Sequence, residues 1–317
     1  MNSSDSGYNL QAFSVIGSTI LVCGAGLNLL VIMATCQGGS KLRDKTNLLI
    51  CALAVADLGG CLGCLQTEVN IWLGWVQTSQ LFCFYTMAPA IFSLTSSNIL
   101  VMAVSFDRFF LLFFPFKYNA TGKWRYTAFF VVPSVITGVV MVVLGWLNRD
   151  ETVQVSICTV PMALHGVSQQ AMLGMIYFLV LIIIAFNATT FWKTYYKKTG
   201  DNTNKNRKEK QRRLGVSVAI VSLIYCITYV IAVIAVAVIE NAPISRQVAA
   251  KILLYNGLGP YVNVSVNGIV YGLRSMEYRN QYRRLFRCCV TISTPSIRVV
   301  PTDGSHQKER QRQLPKF

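Results

Sequence analysis

The chain has few charged residues for its length and almost no histidine. Of its 317 residues, 13% are Asp, Glu, Lys or Arg, and only two are His. Soluble globular domains carry about twice that share of charge, so ordinary soluble domains are excluded. His165 and His306 lie far apart, and no Gly-rich phosphate loop or metal-ligand spacing occurs in the sequence. We therefore predict that the protein is not an enzyme, because catalysis needs a nucleophile with its base or a metal constellation.

Hydrophobic residues make up 53% of the chain and are concentrated in seven long segments. Each segment has about 20 or more mostly apolar residues, enough to cross a hydrocarbon core of ~30 Å as a helix. Helices are expected because lipid offers the backbone no hydrogen bonds. The stretch before the first segment has no basic residue, so no cleaved signal peptide is expected. We predict an all-α membrane protein, a bundle of seven transmembrane helices at 11–35, 47–72, 81–113, 124–146, 170–192, 214–239 and 248–272.

Basic residues fall almost entirely on one side of this bundle. Of the 29 Lys and Arg, only Arg149, Arg246 and Lys251 lie on the side shared with the N-terminus. Basic loops stay in the cytoplasm, so we predict a multi-pass plasma-membrane protein with residues 1–10 outside the cell. The net charge of +16 then reflects topology and attraction to the anionic leaflet of the lipid bilayer, and no nucleic acid is expected as a partner. Residues 1–290 form the membrane domain, and 291–317 form a cytoplasmic tail predicted to be disordered.

The predicted orientation also decides which residues are candidates for covalent modification. Asn2, in Asn2-Ser3-Ser4, is the one sequon that faces outward, and it is a candidate for N-glycosylation. Cys83 and Cys158 both face the oxidising side, so a disulfide between them is predicted. Cys288 and Cys289 follow the seventh segment in a basic amphipathic stretch. This position suits palmitoylation, and two free cytosolic thiols are the alternative.

Polar residues inside the segments are costly in lipid, so they are functional candidates. The third segment ends in Asp107-Arg108-Phe109. Arg108 follows Cys83 by 25 residues, or roughly 37 Å along a helix, so the two residues mark opposite faces of the membrane. At about 100° per residue, Ser97 shares the face of Arg108. Further polar positions are Asn28 in the first segment, Asp57 in the second, and Asn263, Asn267 and Tyr271 on one face of the seventh.

In order and spacing, these motifs resemble those of the rhodopsin-like G-protein-coupled receptors. The resemblance rests on Asn28, Asp57, Asp107-Arg108-Phe109 and Asn267-Gly-Ile-Val-Tyr271. It covers the first, second, third and seventh segments well and the fourth to sixth poorly. It also implies a short amphipathic eighth helix over 274–287, which would lie along the inner leaflet.

The chain departs from that family at several positions. Gly268 stands where the seventh helix usually has proline. In the sixth segment, Tyr229 and Ile231 stand where the family usually has tryptophan and proline. Without that proline the sixth helix loses the commonest cause of its kink. These departures resemble the divergent serpentine chemoreceptors of nematodes.

The resemblance implies roles for the intramembrane residues. Asp107, Arg108, Asn267 and Tyr271 would form the switch for the G protein: Arg108 would pair with Asp107 at rest and meet the G protein on activation. A plain juxtamembrane arginine and an interfacial tyrosine are the alternatives. A sodium-and-water site, with Asp57 as the metal ligand, would be formed by Asn28, Asp57, Ser97, Asn263 and Asn267. Otherwise Asp57 is a neutral, hydrogen-bonded carboxyl that packs the helices. No cofactor besides Na⁺ is implied.

The ligand pocket is expected among the outer halves of the third, fifth, sixth and seventh helices. Ala90 stands where amine receptors have Asp, and Tyr261 stands where opsins have Lys, so an amine or retinal would lack its usual anchor. The candidates make a mainly apolar lining that suits a small neutral ligand: Ala90, Ile91, Leu94, Tyr229, Val233, Asn256, Gly257 and Tyr261. The alternative ligand is a peptide that touches the acids of the outer rim, Glu68, Asp150, Glu151 and Glu240. The other interpretation of these acids is a solvated rim without a ligand, which is the commoner case.

Together these observations predict a chemosensory receptor that signals through a heterotrimeric G protein by a population shift. A neuropeptide receptor of the same fold is the alternative, followed by a heptahelical transporter or channel. Transporters usually show repeats and broken helices, and the sequence has neither. A channel of the insect-odorant type would place its N-terminus inside.

Overall fold

The structure is a computed structural model that describes residues 3–39, 42–74, 78–150, 152–155, 157–196, 220, 222–228, 230–231, 234–235, 248, 252, 255–274 and 276–292. Over these residues the fold is almost entirely helical. The elements are α1 (Ser3–Gln37), α2 (Lys45–Trp72), β1 (Thr78–Ser79), α3 (Gln80–Phe113), α4 (Pro115–Ala120), α5 (Lys123–Leu147), β2 (Gln154–Val155), α6 (Val160–Ala163), α7 (Val167–Tyr196), α8 (Leu258–Arg274) and α9 (Met276–Ile292).

Five of the seven predicted spans are present as continuous helices that are long and apolar enough to cross a membrane. They are α1, α2, α3, α5 and α7, and their ends lie within a few residues of the prediction, except that α1 begins earlier, at Ser3. Local signals set these ends. Asp44 caps α2 by accepting a hydrogen bond from the Asn47 amide, and Ser79 caps α3 in the same way through Phe82. Pro115 opens α4, where its missing N–H costs nothing.

The sixth and seventh predicted spans are described in part. Residues 222–228 of the sixth span are helical. The seventh span contains α8, which is preceded by helical residues 255–256 and a turn at Gly257. The fold is therefore the predicted all-α, seven-transmembrane bundle.

Helix α3 lies at the centre of the bundle and packs against α2, α5 and α7. Its buried face includes polar side chains, and Ser96 donates a 3.1 Å hydrogen bond to the Ser134 carbonyl of α5. A side chain at Gly138 of α5 would lie 2.9 Å from the Phe92 carbonyl, so glycine permits this close approach. On the other side, α1 packs against α2 and α8. Large apolar residues on the outer faces of α1, α5 and α7 remain exposed, as expected for helices that face lipid.

The loop between α5 and α7 packs against α2 and α3 at the end of the bundle that is predicted to face outward. We call this end the outer end and the opposite end the inner end. Strand β2 of the loop pairs antiparallel with β1, with Thr78 opposite Val155. The disulfide predicted between Cys83 and Cys158 is present, with Cα atoms 5.3 Å apart. Gln80 donates to the Ala163 carbonyl at 2.7 Å. The loop is thus held over the outer end of α3.

Helix α9 is the predicted amphipathic helix, and it is anchored to α1. The hydroxyls of Tyr278 and Thr35 lie 3.1 Å apart, and Tyr278 is buried against Tyr271. Burial raises the pKa of Tyr278, so its phenol stays protonated. Cys288 and Cys289 lie within α9, and their side chains are outside the described part of the chain, as are Asn2 and residues 293–317.

Candidate functional site

At the inner end of α3, the Asp107 carboxylate is held by three neighbours. The Thr46 hydroxyl donates to Oδ2 at 2.7 Å, and the Tyr118 hydroxyl donates to Oδ1 at 3.1 Å. The Arg108 Nε lies 3.9 Å from Oδ2 in the one salt bridge of the described residues. Asp107 and Arg108 are both buried. The carboxylate therefore joins α2, α3 and α4 at one point.

The guanidinium of Arg108 has few hydrogen-bond partners in this arrangement. Its Nε and Nη2 atoms are buried and form no hydrogen bond with a described residue, and neither does the buried hydroxyl of Tyr271 on α8. A buried guanidinium without its donors satisfied is costly. One turn earlier on α3, the Ser105 hydroxyl lies 3.0 Å from that of Ser222 in the sixth span. Asn187 of α7 also donates to Ser105, at 3.3 Å. Ser105 thus connects α3 with α7 and the sixth span, one turn before Arg108. Two nitrogens of Arg108 have no hydrogen-bond acceptor among the described residues.

Three residues of this site were not expected from the sequence: Thr46, Tyr118 and Lys45. Helix α4 places Tyr118 against the first turn of α2. There the Lys45 ammonium lies 4.3 Å from the centre of the Tyr118 ring and donates to the Tyr118 carbonyl. Burial raises the pKa of the Tyr118 phenol, which therefore remains a hydrogen-bond donor. These contacts depend on the path of the chain between α3 and α5, and no residue spacing in the sequence predicts them.

The inner surface also carries an exposed aromatic side chain that the sequence analysis did not single out. Phe116 of α4 is 89% exposed, the largest exposed fraction among the large hydrophobic residues described. The next residues on either side are Pro115 and Lys117. Phe116 thus presents a phenyl ring on the surface of a short helix that begins at a proline.

In the middle of the bundle, Asp57 lies at the junction of α2, α3 and α8. Ser97 donates to Oδ1 at 2.5 Å, and Asn267 donates to Oδ2 at 2.5 Å. Asp57 is completely buried. Asn28 donates to the Val264 carbonyl at 2.8 Å, which ties α1 to the same part of α8. The structure therefore brings Asp57 into direct contact with two of the residues grouped with it from the sequence.

Asp57 and the asparagines grouped with it from the sequence have the chemistry of a hard-cation site. The amide oxygens of Asn28, Asn263 and Asn267 are buried, and none accepts a hydrogen bond from a described residue. Amide and carboxylate oxygens are ligands that a hard cation prefers, and each Asp57 oxygen keeps acceptor capacity beyond its one donor. No cluster of three His, Cys, Asp or Glu is present in the described ranges, so a transition-metal site is not indicated there.

The outer pocket candidates are only partly brought together. Ala90 and Tyr261 are buried in one apolar cluster, with Leu94 packed against it. Ile91 is buried in a separate cluster on the other side of α3. Asn256 and Gly257 lie half-buried just before α8. Tyr229, Val233, Glu151 and Glu240 lie outside the described residues.

One expectation about the outer end is wrong. Glu68 was expected on the outer rim, but only 1% of this residue is exposed. Its carboxylate faces α1 and α8, because a side chain at Gly17 would meet both Glu68 and the Tyr261 ring. Asp150, in contrast, lies in the outer loop, where its carboxylate accepts hydrogen bonds from the Thr152 amide and hydroxyl. Glu68 is therefore an interior residue of the outer half.

Comparison with known proteins agrees with this arrangement. The sequence profile of the serpentine type 7TM GPCR chemoreceptor Srsx family matches residues 21–286. Galanin receptor type 2 of Rattus norvegicus is 23% identical over 293 residues, which are 88% of this chain and 76% of that receptor. Galanin receptor 2b of Danio rerio is 25% identical over 88% of this chain and 75% of its own length. Melatonin receptor type 1A of Ovis aries is 22% identical over 95% of this chain and 83% of its own.

The profile match covers the bundle from the middle of α1 into α9, and so includes the Asp57 cluster, the Asp107–Arg108 pair and the disulfide. The galanin and melatonin receptors are likewise G-protein-coupled receptors. The chain belongs to the Srsx family of serpentine, seven-transmembrane G-protein-coupled chemoreceptors.

Proposed function

We propose that this receptor binds a small, largely apolar molecule in the outer half of the bundle and uses Arg108 to activate a heterotrimeric G protein. The observation that carries the proposal is the state of Arg108. It is buried beside Asp107, and two of its nitrogens have no hydrogen-bond partner among the described residues. An arginine in this position is available to a partner that enters from the inner side.

The hydrogen bonds around Asp107 favour the resting arrangement. Thr46 and Tyr118 hold the carboxylate against α2 and α4, and the carboxylate keeps Arg108 beside it. The Ser105–Ser222 contact holds the sixth span against α3. A ligand that binds better to a state in which the sixth span moves outward would break this contact and expose Arg108.

A sodium ion would be held by Asp57, Ser97 and the amide oxygens of Asn263 and Asn267. Its positive charge would offset the buried carboxylate and favour the packed state of α2, α3 and α8. The short hydrogen bonds that Ser97 and Asn267 give to Asp57 position the carboxylate for this role. Tyr271, four residues after Asn267 on α8, connects this site to the region of Arg108.

The nature of the ligand follows from the lining of the outer cluster. Ala90 offers no acid on α3, and its neighbours are mostly apolar, which favours a small and largely apolar molecule. The family is named for chemoreception, which agrees with such a ligand. The galanin receptors among the relatives support a peptide as the second candidate.

The proposed orientation places the N-terminus and the disulfide outside the cell. The support is the clustering of Lys and Arg on the opposite side. An epitope added before residue 3 and one added after residue 317 would be stained on intact cells and on permeabilised cells. The first epitope should be stained on intact cells and the second only after permeabilisation. Any other pattern would overturn the proposed orientation.

The coupling itself is tested by energy transfer between Gα and Gβγ in cells that express the receptor without added ligand. Wild type and Arg108→Ala are compared at matched surface expression across the Gα classes. Arg125→Ala, which removes an exposed arginine at the inner end of α5, is the control. The expected result is a basal signal for one class that Arg108→Ala abolishes and Arg125→Ala retains. A signal that survives in Arg108→Ala would refute the proposed role of Arg108.

A further inference from the structure

The outer half of the bundle contains a carboxylate that the proposed mechanism does not use. Glu68 lies on α2, one turn before the helix ends at Trp72. Neither of its carboxylate oxygens forms a hydrogen bond with a described residue, although both are buried. The Ser14 hydroxyl donates instead to the Glu68 backbone carbonyl, at 3.4 Å. The acid is therefore enclosed with hydroxyls beside it but with no cation of the described residues to balance its charge.

A carboxylate in this position needs a compensating group. Charged side chains in the membrane-spanning part of a protein are rare and are usually paired. The polar side chains that face Glu68 are the hydroxyls of Ser14 and Tyr261, and both are uncharged. No lysine or arginine of the described residues lies within salt-bridge distance of it. The compensating cation is thus not supplied by the described part of this chain.

Glu68 lies next to the apolar cluster that contains the pocket candidates Ala90 and Tyr261. The cluster of Cys64, Ala90 and Tyr261 lies immediately below it, and Leu65 and Ile157 pack against that cluster. Glycine at position 63 allows α2 to contact Ala90 closely, because a side chain there would meet the Ala90 backbone at 2.9 Å. The acid that α3 lacks at Ala90 is therefore present on the neighbouring helix, next to Tyr261 of the same apolar cluster.

The outer loop fixes this region from above. Thr67, the residue before Glu68, donates a 2.9 Å hydrogen bond to the carbonyl of Cys158. Cys158 is joined to α3 through Cys83. The disulfide and this hydrogen bond hold the loop against α2 beside the buried acid, so the position of Glu68 is defined by three elements of the fold.

We propose that Glu68 is a ligand-binding residue that pairs with a protonated nitrogen, an ammonium or amidinium group, on a ligand with an otherwise apolar body. This inference rests on the proposed function and refines it. A wholly neutral ligand was expected on the assumption that Glu68 is a solvated rim residue. Because Glu68 is buried, that assumption does not hold. The two hydroxyls of Ser14 and Tyr261 provide acceptors for the remaining N–H groups of the cation.

An organic cation fits the site better than a metal ion. A hard metal ion takes about six or more oxygen ligands, whereas this site offers one carboxylate and two hydroxyls. The neighbouring apolar side chains Leu65, Ala90 and Ile157 would contact a hydrocarbon body but cannot complete a coordination shell. Apolar walls also strengthen the attraction between carboxylate and ammonium by excluding water.

The test uses pairs of probes that differ only in charge: hexylamine with 1-hexanol, heptylamine with 1-heptanol, and 2-phenylethylamine with 2-phenylethanol. Binding is measured on the purified full-length receptor as the concentration dependence of its thermal unfolding midpoint. Wild type is compared with Glu68→Gln, and Asp150→Asn removes an outer-loop carboxylate as the control. At least one amine should bind wild type about tenfold or more tightly than its alcohol. Glu68→Gln should remove that preference, and Asp150→Asn should retain it.

Equal behaviour of amine and alcohol in every pair, including no binding by either, would overturn the proposal. Retention of the amine preference in Glu68→Gln would also overturn it. Failure of the two proposals can be told apart, because the binding assay needs no G protein. Arg108-dependent coupling without amine selectivity would refute only the role of Glu68, and amine selectivity without any coupling would refute only the signalling proposal.

Discussion

The hydroxyl of Thr46 donates a 2.7 Å hydrogen bond to Oδ2 of Asp107, and this bond links the first turn of α2 to the last turns of α3. The same carboxylate oxygen faces Arg108. Because Thr46 satisfies the carboxylate only while α2 and α3 keep this register, the bond stabilises the resting arrangement specifically. The inner end of the bundle is therefore held by a neutral residue as well as by the ion pair.

Replacing Thr46 by valine keeps the shape of the side chain and removes this hydrogen bond. A hydrogen bond to a charged group contributes about 1.5–3 kcal/mol, which corresponds to roughly tenfold or more in a conformational equilibrium. Thr46→Val should therefore raise ligand-free G-protein activation by about tenfold or more at equal surface expression. Thr127→Val is the matched control, since its hydroxyl donates to the Lys123 carbonyl of its own helix. Equal basal signals for wild type and Thr46→Val would contradict the proposed lock.

The site around Asp57 predicts a dependence on sodium. The thermal unfolding midpoint of the purified receptor should be higher in sodium chloride than in potassium chloride of equal ionic strength. Asp57→Asn keeps the size of the side chain and removes the charge, so the difference between the two salts should disappear. Asp150→Asn should retain it. A wild-type receptor with the same midpoint in both salts would exclude the sodium site and leave Asp57 as a packing residue.

The sequence predicted the long helices well because their signal is local. Each apolar segment is continuous, and caps such as Asp44 and Ser79 lie where the apolar run begins. The contact of Asp57 with Ser97 and Asn267 was also expected, but from the resemblance to the rhodopsin-like receptors. Helical period and membrane thickness account for the long helices and not for this contact.

The features that the sequence did not predict depend on how neighbouring elements pack. Glu68 was expected on the outer rim. The structure buries it because the outer turns of α1 pack on α2, where Gly17 leaves room for the carboxylate. Tyr118 reaches Asp107 because α4, which follows α3 directly after Phe114, packs Tyr118 against the inner ends of α2 and α3. Neither contact has a periodic signature.

The disulfide between Cys83 and Cys158 closes a long stretch of chain and fixes the outer loop. The two residues are 75 positions apart, and a crosslink over such a loop stabilises a fold by about 4 kcal/mol in the loop-closure description. Cys83→Ser and Cys158→Ser should each reduce surface delivery, and the double variant should lose no more than either single one. Flow cytometry of an epitope-tagged receptor measures this. Additive losses would show that the two cysteines act separately.

The exposed ring of Phe116 predicts a contact with the G protein. It lies on the inner side of the bundle, on the helix whose Tyr118 holds Asp107, so a partner that engages Arg108 also meets this ring. Burying a phenylalanine side chain contributes about 1.5–3 kcal/mol. Phe116→Ala should therefore reduce G-protein activation by about tenfold or more, with normal surface expression and an unchanged thermal midpoint, because the ring makes little contact within the receptor.

Phe129→Ala provides the comparison for Phe116. Phe129 is also a strongly exposed phenylalanine, but it lies within the membrane-spanning helix α5, where an exposed ring faces lipid. Loss of this ring should leave G-protein activation near the wild-type level. If both variants lost activation equally, the effect would reflect loss of apolar surface in general. If only Phe116→Ala lost it, α4 would present a specific contact. The same short helix would then carry both Tyr118, which donates to Asp107, and the surface that receives the G protein.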